Sequence, residues 1–171
     1  MTTSVEYVCR SCGETHSGLP AWHFAAPAQA LAVPRGERAS RVELTEDDCV
    51  IDGREFFVKG LLEIPVHEAQ ESFTWGVWLS LSEASYLRFA ELFGNPTRGA
   101  GESFFGWLCN SLPDYPETQL LKTHVHVREY PMRPLVELAP TDHPLAVDQR
   151  EGLTRERAVT MAERLLHAPA G

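Results

Sequence analysis

The chain has 171 residues, 43% of them hydrophobic and 23% charged, which is typical of a globular protein long enough to bury a core. Its 15 basic and 24 acidic residues give a formal net charge of -9. This balance argues against a nucleic-acid partner, because duplex binding needs clustered Lys and Arg. No apolar stretch is as long as a membrane-spanning helix, so we expect no membrane partner. Residues 1–10 have neither a basic region nor an apolar run, so we expect no signal peptide and a cytoplasmic location.

We expect one domain over residues 1–171, made of a metal-knuckle segment with its connector (7–51) and an α+β body (52–171). No internal repeat is evident. The stretch 19–38 is rich in Ala and Pro and is interpreted as a connector. In a reducing compartment cysteines serve as metal ligands or core residues rather than as disulfides. The chain has four of them: Cys9, Cys12, Cys49 and Cys109.

The knuckle is the sequence Cys9-Arg-Ser-Cys12-Gly13. Two thiolates separated by two residues can bind one metal ion, because the turn between them points both sulfur atoms inward. With His16 and Cys49 they form a four-ligand set of the kind that holds a structural zinc, and His23 is an alternative to His16 as the histidine ligand. The competing interpretation is a pair of ordinary thiols in a tight turn. A thioredoxin-like redox motif is less favoured, because such motifs stand between a strand and a helix.

A β-hairpin is predicted for residues 52–81. Its first strand is the mostly apolar run 55–64, which Pro65 ends. Its second strand alternates strictly, with Phe73, Trp75, Val77, Leu79 and Leu81 on one face. Trp78 is the exception, a large aromatic residue on the polar face. It either packs under a helix or belongs to a binding patch, and burial is the favoured interpretation.

The elements after the hairpin complete the predicted order β-β-α-α-β-β-α. A helix capped by Ser80 or Ser82 ends at 94–96, and a second helix is predicted for 102–112. Strands follow at 121–129 and 134–138, and Thr154 caps a final helix. The order predicts an α+β fold in which an antiparallel sheet carries helices mainly on one side.

Other polar motifs have weaker interpretations. His124 and His126 share one face of a strand and can bind a metal, but Lys122 and Arg128 flank them, which favours a solvated face. His143 follows Asp142, yet adjacent residues rarely face each other, and no nucleophile partner is evident. No phosphate-cradling or dinucleotide-binding loop occurs.

Several sequence blocks together resemble a bacterial family catalogued as domain of unknown function 2199, over about residues 7–160. The resemblance implies a one-domain bacterial protein and supplies no activity. The family pattern includes the positions of Cys9, Cys12, His16 and Cys49, which supports a metal site. The blocks are Cys9-x2-Cys12-Gly13-x2-His16, Asp48-Cys49-x-Ile51, Phe56-Phe57-x-Lys59-Gly60-x2-Glu63-Ile64-Pro65, Phe73-x-Trp75-Gly76-Val77-Trp78-x-Ser80-Leu81-Ser82-Glu83, Gly106-Trp107-Leu108, Leu112-Pro113-x-Tyr115-Pro116-x-Thr118 and His143-Pro144-Leu145-Ala146-x2-Gln149.

The sequence therefore favours a non-enzymatic binding or interaction domain with a structural zinc. Its binding patch would involve Trp78, His143 and Glu63, and its partner would be a protein or a small molecule. The alternative is a zinc-dependent hydrolase or other metalloenzyme that uses His16, His143 and Glu63. A weaker alternative is a toxin-neutralising immunity protein, which rests on small size and acidic charge alone.

Overall fold

The computed structural model describes residues 4–168. The short elements before residue 52 are the strands β1 (Glu6–Val8), β2 (Thr15–Ser17), β3 (Trp22–His23), β4 (Val42–Leu44) and β5 (Asp48–Ile51) and the helices α1 (Ala28–Ala32) and α2 (Arg38–Arg41), with a 3-10 turn at Arg35–Glu37. The later elements are β6 (Glu55–Pro65), β7 (Ser72–Leu81), α3 (Glu83–Phe93), β8 (Ser103–Leu108), β9 (Lys122–His126), β10 (Leu135–Leu138), α4 (Pro144–Glu151) and α5 (Arg155–Leu166).

Five strands close into a barrel in the order β6-β7-β8-β9-β10, with β10 returning to β6. Four of the five pairings are antiparallel, whereas β10 and β6 run parallel. Strands β3, β5 and β4 extend this sheet outside the barrel, since β3 pairs with β7, and β5 pairs with β6 and β4. The predicted antiparallel sheet with helices mainly on one side is therefore wrong, and the fold is a mixed barrel with added strands.

The barrel closes through a narrow seam. Strands β10 and β6 are paired only at Leu135 and Leu61, where the Leu61 N–H donates to the Pro134 carbonyl over 2.9 Å. Beyond that point Gln149 of α4 takes the place of a neighbouring strand. Its carboxamide accepts from the Leu138 N–H and donates to the Val136 carbonyl, both at 2.8 Å. Because these backbone groups would otherwise lack partners, α4 is part of the barrel wall.

The hairpin of β6 and β7 is confirmed, and it separates two hydrophobic clusters. Phe73, Trp75, Val77, Leu79 and Leu81 are all buried and belong to the larger cluster. Trp78 on the opposite face is also 0% exposed and belongs to a smaller cluster that α1 covers. The break in the alternation at Trp78 therefore marks a strand that is buried on both faces.

The segment 102–112 is not the predicted helix. It forms β8, which pairs with β7 at Leu79–Leu108 and with β9 from Ser103 to Trp107. Its aromatic residues suit a strand better than a helix, and pairing on both edges satisfies its backbone groups. The predicted strands at 121–129 and 134–138 correspond to the shorter β9 and β10.

The helices begin where side chains can cap them. The Ser82 and Thr154 hydroxyls accept from the third backbone N–H that follows, at the starts of α3 and α5. At α4 the cap is His143, whose Nδ1 accepts from the Leu145 N–H, and Pro144 occupies the first turn. Within residues 4–168, no helix is long and apolar enough to cross a membrane.

Candidate metal centre

The knuckle is the turn of a two-stranded ribbon. Strands β1 and β2 pair antiparallel, and the chain reverses between Cys9 and Glu14. The Cys9 N–H donates to the Glu14 carbonyl over 2.9 Å, and the Gly13 N–H donates to the Cys9 carbonyl over 2.8 Å. Gly13 has a φ of +74°, a left-handed conformation that glycine adopts without a steric penalty. The turn thus brings the two thiols of the motif to one side.

A histidine from the other end of the chain joins the two thiols. The Nε2 atom of His167, just after α5, lies 3.1 Å from the Cys9 Sγ atom. One ligand atom from each of Cys9, Cys12 and His167 lies within 4.8 Å of the others. Within this cluster, Cys9 is buried, whereas Cys12 and His167 are exposed to solvent. These three side chains are called the thiol–imidazole cluster below.

His16 lies on the outer side of this cluster. Its Nε2 atom is 3.5 Å from the Cys12 Sγ atom, and it forms a second compact group with Cys12 and Glu14. Its ring stacks on Tyr7, with the ring centroids 5.4 Å apart. Cys12 therefore stands between two imidazoles, one from the ribbon and one from the end of α5.

The local electrostatics favour a thiolate at Cys9. Burial opposes ionisation, but hydrogen bonds from the backbone N–H groups of Cys12 and Ser11, and contacts with the Cys12 and His167 side chains, lower the pKa of Cys9 to about 6. The pKa of Cys12 is raised: the Glu14 backbone contact lowers it, but desolvation and the neighbouring Cys9 outweigh that contact. Two adjacent thiols therefore resist ionising together unless a cation joins them.

Several contacts dock the ribbon onto α5. The Arg10 N–H donates to a Glu163 carboxylate oxygen over 2.8 Å, and the Arg10 Nε pairs with the other oxygen over 3.1 Å. An Arg10 terminal nitrogen also donates to the Thr160 hydroxyl over 2.9 Å. Glu163 is only 7% exposed, so this carboxylate is largely withdrawn from solvent. These contacts hold His167 beside the turn.

The other predicted ligands lie elsewhere. Cys49 is on β5, 1% exposed, within the smaller hydrophobic cluster, where burial raises the pKa of its thiol to about 11. His23, the alternative histidine, is on β3 with its ring against Gly76. The structure thus gathers Cys9 and Cys12 with His16 nearby, and brings His167 to them rather than Cys49 or His23.

The predicted binding patch is not a single surface. Trp78 is fully buried, and its indole N–H donates to the Phe24 carbonyl over 2.9 Å, so it offers no surface to a partner. His143 caps α4, and its Nε2 lies 3.1 Å from the Glu117 carbonyl oxygen. Glu63 lines a groove beside β10 together with His126 and Arg150. The residues proposed for a metalloenzyme are therefore dispersed.

His167 is the candidate ligand that the sequence did not reveal. It is 158 positions from Cys9, and it stands at the end of a helix whose periodicity predicts only a buried face. Metal-ligand spacing is recognisable only when ligands share a local turn. A histidine directly after a helix near the C-terminus is the one signal available, and it is not specific.

The fold and this site define a class of protein: a small mixed β-barrel that carries a surface cluster of cysteine and histidine side chains. The family model described as an uncharacterized protein conserved in bacteria, DUF2199, matches residues 8–153. The chain belongs to this family. No curated protein and no solved structure matches it.

Proposed function

We propose that this protein is a non-enzymatic binding protein in which a structural zinc ion holds the N-terminal ribbon against helix α5. The ligands would be Cys9, Cys12 and His167, with His16 completing the set. The observation that carries the proposal is the contact between the Cys9 thiol and the His167 imidazole, which joins opposite ends of the chain.

The distances support such a site. Zinc binds sulfur at about 2.3 Å and nitrogen at about 2.1 Å, so tetrahedral angles place the two atoms about 3.6 Å apart. The Cys9–His167 and Cys12–His16 contacts, at 3.1 Å and 3.5 Å, are near that value. A metal ion would also relieve the repulsion between adjacent thiolates. Small side-chain rotations at exposed Cys12 and His167 would complete the geometry.

The ligand chemistry favours a structural role over a hydrolytic one. Two thiolates and two imidazoles cancel the charge of zinc and leave no open position for water or substrate. A hydrolase would also need a general base near the metal, and neither Glu63 nor His143 belongs to the thiol–imidazole cluster.

Zinc analysis of protein purified without chelators tests the zinc site on which this proposal depends. The native chain should contain about one zinc per molecule, and His167→Ala and Cys12→Ser should lose most of it. Cys49→Ala should retain zinc. The ligand set predicted from the sequence includes Cys49, so under that prediction the same variant would lose its zinc. His124→Ala, which changes an exposed histidine on β9, is the control for histidine loss in general.

A thermal-stability measurement separates the structural role from incidental binding. A metal that binds only the folded chain stabilises it, so chelation should lower the melting temperature of the native protein and leave His167→Ala unchanged. A native protein that contains no zinc and cannot be loaded with it would refute the proposed site.

A further inference from the structure

Away from the thiol–imidazole cluster, an open depression lies between β3, β4 and β6 of the eight-stranded sheet. Its volume is about 560 Å³. Three of its lining side chains are basic types, namely His23, Lys59 and Arg133, and Glu46 is the acidic one. A concentration of basic groups is unusual in a chain with a net charge of -9.

Lys59 is the central feature of this depression. The residue is only 8% exposed, and its ammonium nitrogen lies 5.7 Å from the centroid of the Trp78 ring. Among residues 4–168, no carboxylate forms a salt bridge with it and no side-chain hydrogen bond engages it. The stem of Lys59 is largely buried, but its nitrogen is not among the buried polar atoms without a partner, so the ammonium group reaches the depression, where a ligand can pair with it.

Arg133 presents a second positive group. Its Nε donates to Asp47 over 2.7 Å, which fixes the guanidinium, and within the described chain this is its one side-chain bond. The terminal nitrogens are left to donate to a ligand. A guanidinium held through Nε is well suited to an oxyanion, because its remaining donors form a rigid fork.

His23 completes the lining as a neutral donor. Burial, Lys59 and Arg133 lower its pKa, so its ring carries no charge at neutral pH and offers an N–H group. Its position depends on Gly76: a Cβ atom there would lie 2.0 Å from the His23 Nδ1 atom. The missing side chain at Gly76 is what admits the ring to the sheet surface.

Burial and the neighbouring Arg133 also lower the pKa of Lys59, whereas Asp47 and Glu46 oppose that change. Asp47 is occupied by Arg133, and Glu46 is exposed at the rim. The two acidic side chains therefore reduce the positive potential without neutralising the lysine directly.

We propose that this depression binds a small molecule through an oxyanion, a carboxylate or a phosphate, which the ammonium of Lys59 and the free guanidinium nitrogens of Arg133 hold together. His23 donates a further hydrogen bond. The depression is larger than a phosphate ion, so the ligand has an organic body that lies against Ala25 and Leu44. This proposal does not depend on zinc.

The chain itself offers a sharp test, because Lys59 and Lys122 are its only lysines. Both lie near a tryptophan ring, but Lys122 is exposed, and its ammonium is 6.0 Å from the Trp107 centroid. Protein labelled with isotope in its lysine side chains gives two side-chain NMR signals. Lys122→Met assigns them and is the matched control, whereas Lys59→Met keeps the apolar stem over Trp78 and removes only the charge.

Inorganic phosphate and acetate are titrated separately, against sodium chloride at equal ionic strength. The Lys59 signal should shift and saturate with one or both anions, and the Lys122 signal should not. Calorimetry should show phosphate or acetate binding weakened at least about tenfold in Lys59→Met and unchanged in Lys122→Met. Response to phosphate alone or to acetate alone identifies the oxyanion. Equal shifts of both lysines, or no saturable shift with either anion, would overturn the proposal.

Discussion

Two tryptophans on the same strand provide a matched test of the packing. Trp75 and Trp78 are both 0% exposed, and both lie on β7. They differ in the hydrogen bonding of the indole nitrogen, and the ring contacts of both, with Lys59 at Trp78 and with Phe24 and Phe73 at Trp75, remain possible for phenylalanine. The Trp78 indole N–H donates to the Phe24 carbonyl, whereas the Trp75 indole N–H is buried without an acceptor among residues 4–168. Replacing each by phenylalanine removes the same atoms and leaves similar empty volume, so the cavity costs largely cancel.

The remaining difference comes from hydrogen bonding. Trp78→Phe leaves the Phe24 carbonyl without its donor, a loss of about 1–3 kcal/mol, whereas Trp75→Phe removes a donor that was already unpaired. Trp78→Phe should therefore be less stable than Trp75→Phe by about 2 kcal/mol. For a chain of this length, that difference corresponds to a melting temperature lower by about 4–8 °C.

Urea unfolding followed by far-ultraviolet circular dichroism measures this difference. Fluorescence is unsuitable because the chain has four tryptophans. The slope of the unfolding free energy against urea concentration should be the same in both variants, so that a difference between their midpoints reports a difference in stability. If Trp75→Phe proved as destabilising as Trp78→Phe, or more so, the two hydrogen-bonding environments described above would be incorrect.

Three further predictions test other parts of the fold. In Gly60→Ala the new Cβ would lie 2.6 Å from the Val136 Cγ2 atom at the seam, so we expect a loss of about 1–3 kcal/mol that Val136→Ala partly restores, as urea unfolding can measure. The Arg10 contacts lower the pKa of Glu163 below its ordinary value of 4.5, so the stability that they supply is present above pH 4.5 and is lost as the pH falls through the lowered pKa. Glu163→Gln should therefore flatten the acidic part of a curve of unfolding free energy against pH. An unchanged curve would contradict the docking of the ribbon on α5. Gly76→Ala should displace His23, visible as a changed chemical shift of its ring protons, and an unmoved ring would contradict the close approach at Gly76.

The sequence carried enough information for the β6–β7 hairpin and for the starts of two helices. Strict alternation from Phe73 to Leu81 identified the hairpin, and capping residues identified two helices, one at Thr154 and one for which Ser82, of the two candidates Ser80 and Ser82, is the cap. Trp78 was also informative, since its place on the polar face reflects a second covered face. These features depend on neighbours a few residues apart, which is the range over which periodicity and capping act.

Barrel closure could not be predicted in this way. It depends on one parallel pairing between Leu61 and Leu135, and on the Gln149 carboxamide that extends it. The segment 102–112 is a strand because β7 and β9 pair with it, and the strand preference of its aromatic residues is too weak to decide between strand and helix without those neighbours. Prediction of the thiol–imidazole cluster has the same limit, because the position of α5 in the fold, and not spacing from the thiols, brings His167 to Cys9.

The seam also has a consequence for biosynthesis. Helices α4 and α5 follow all barrel strands in the chain, so a ribosome releases β6 and β10 before Gln149 can cover the gap between them. During that interval the nascent chain presents unpaired backbone edges, which other chains can bind. Cys9 and Cys12 likewise emerge long before His167. Closure of the barrel and docking of the ribbon therefore both require the segment that contains α4 and α5. A chain that terminates before α4 should aggregate.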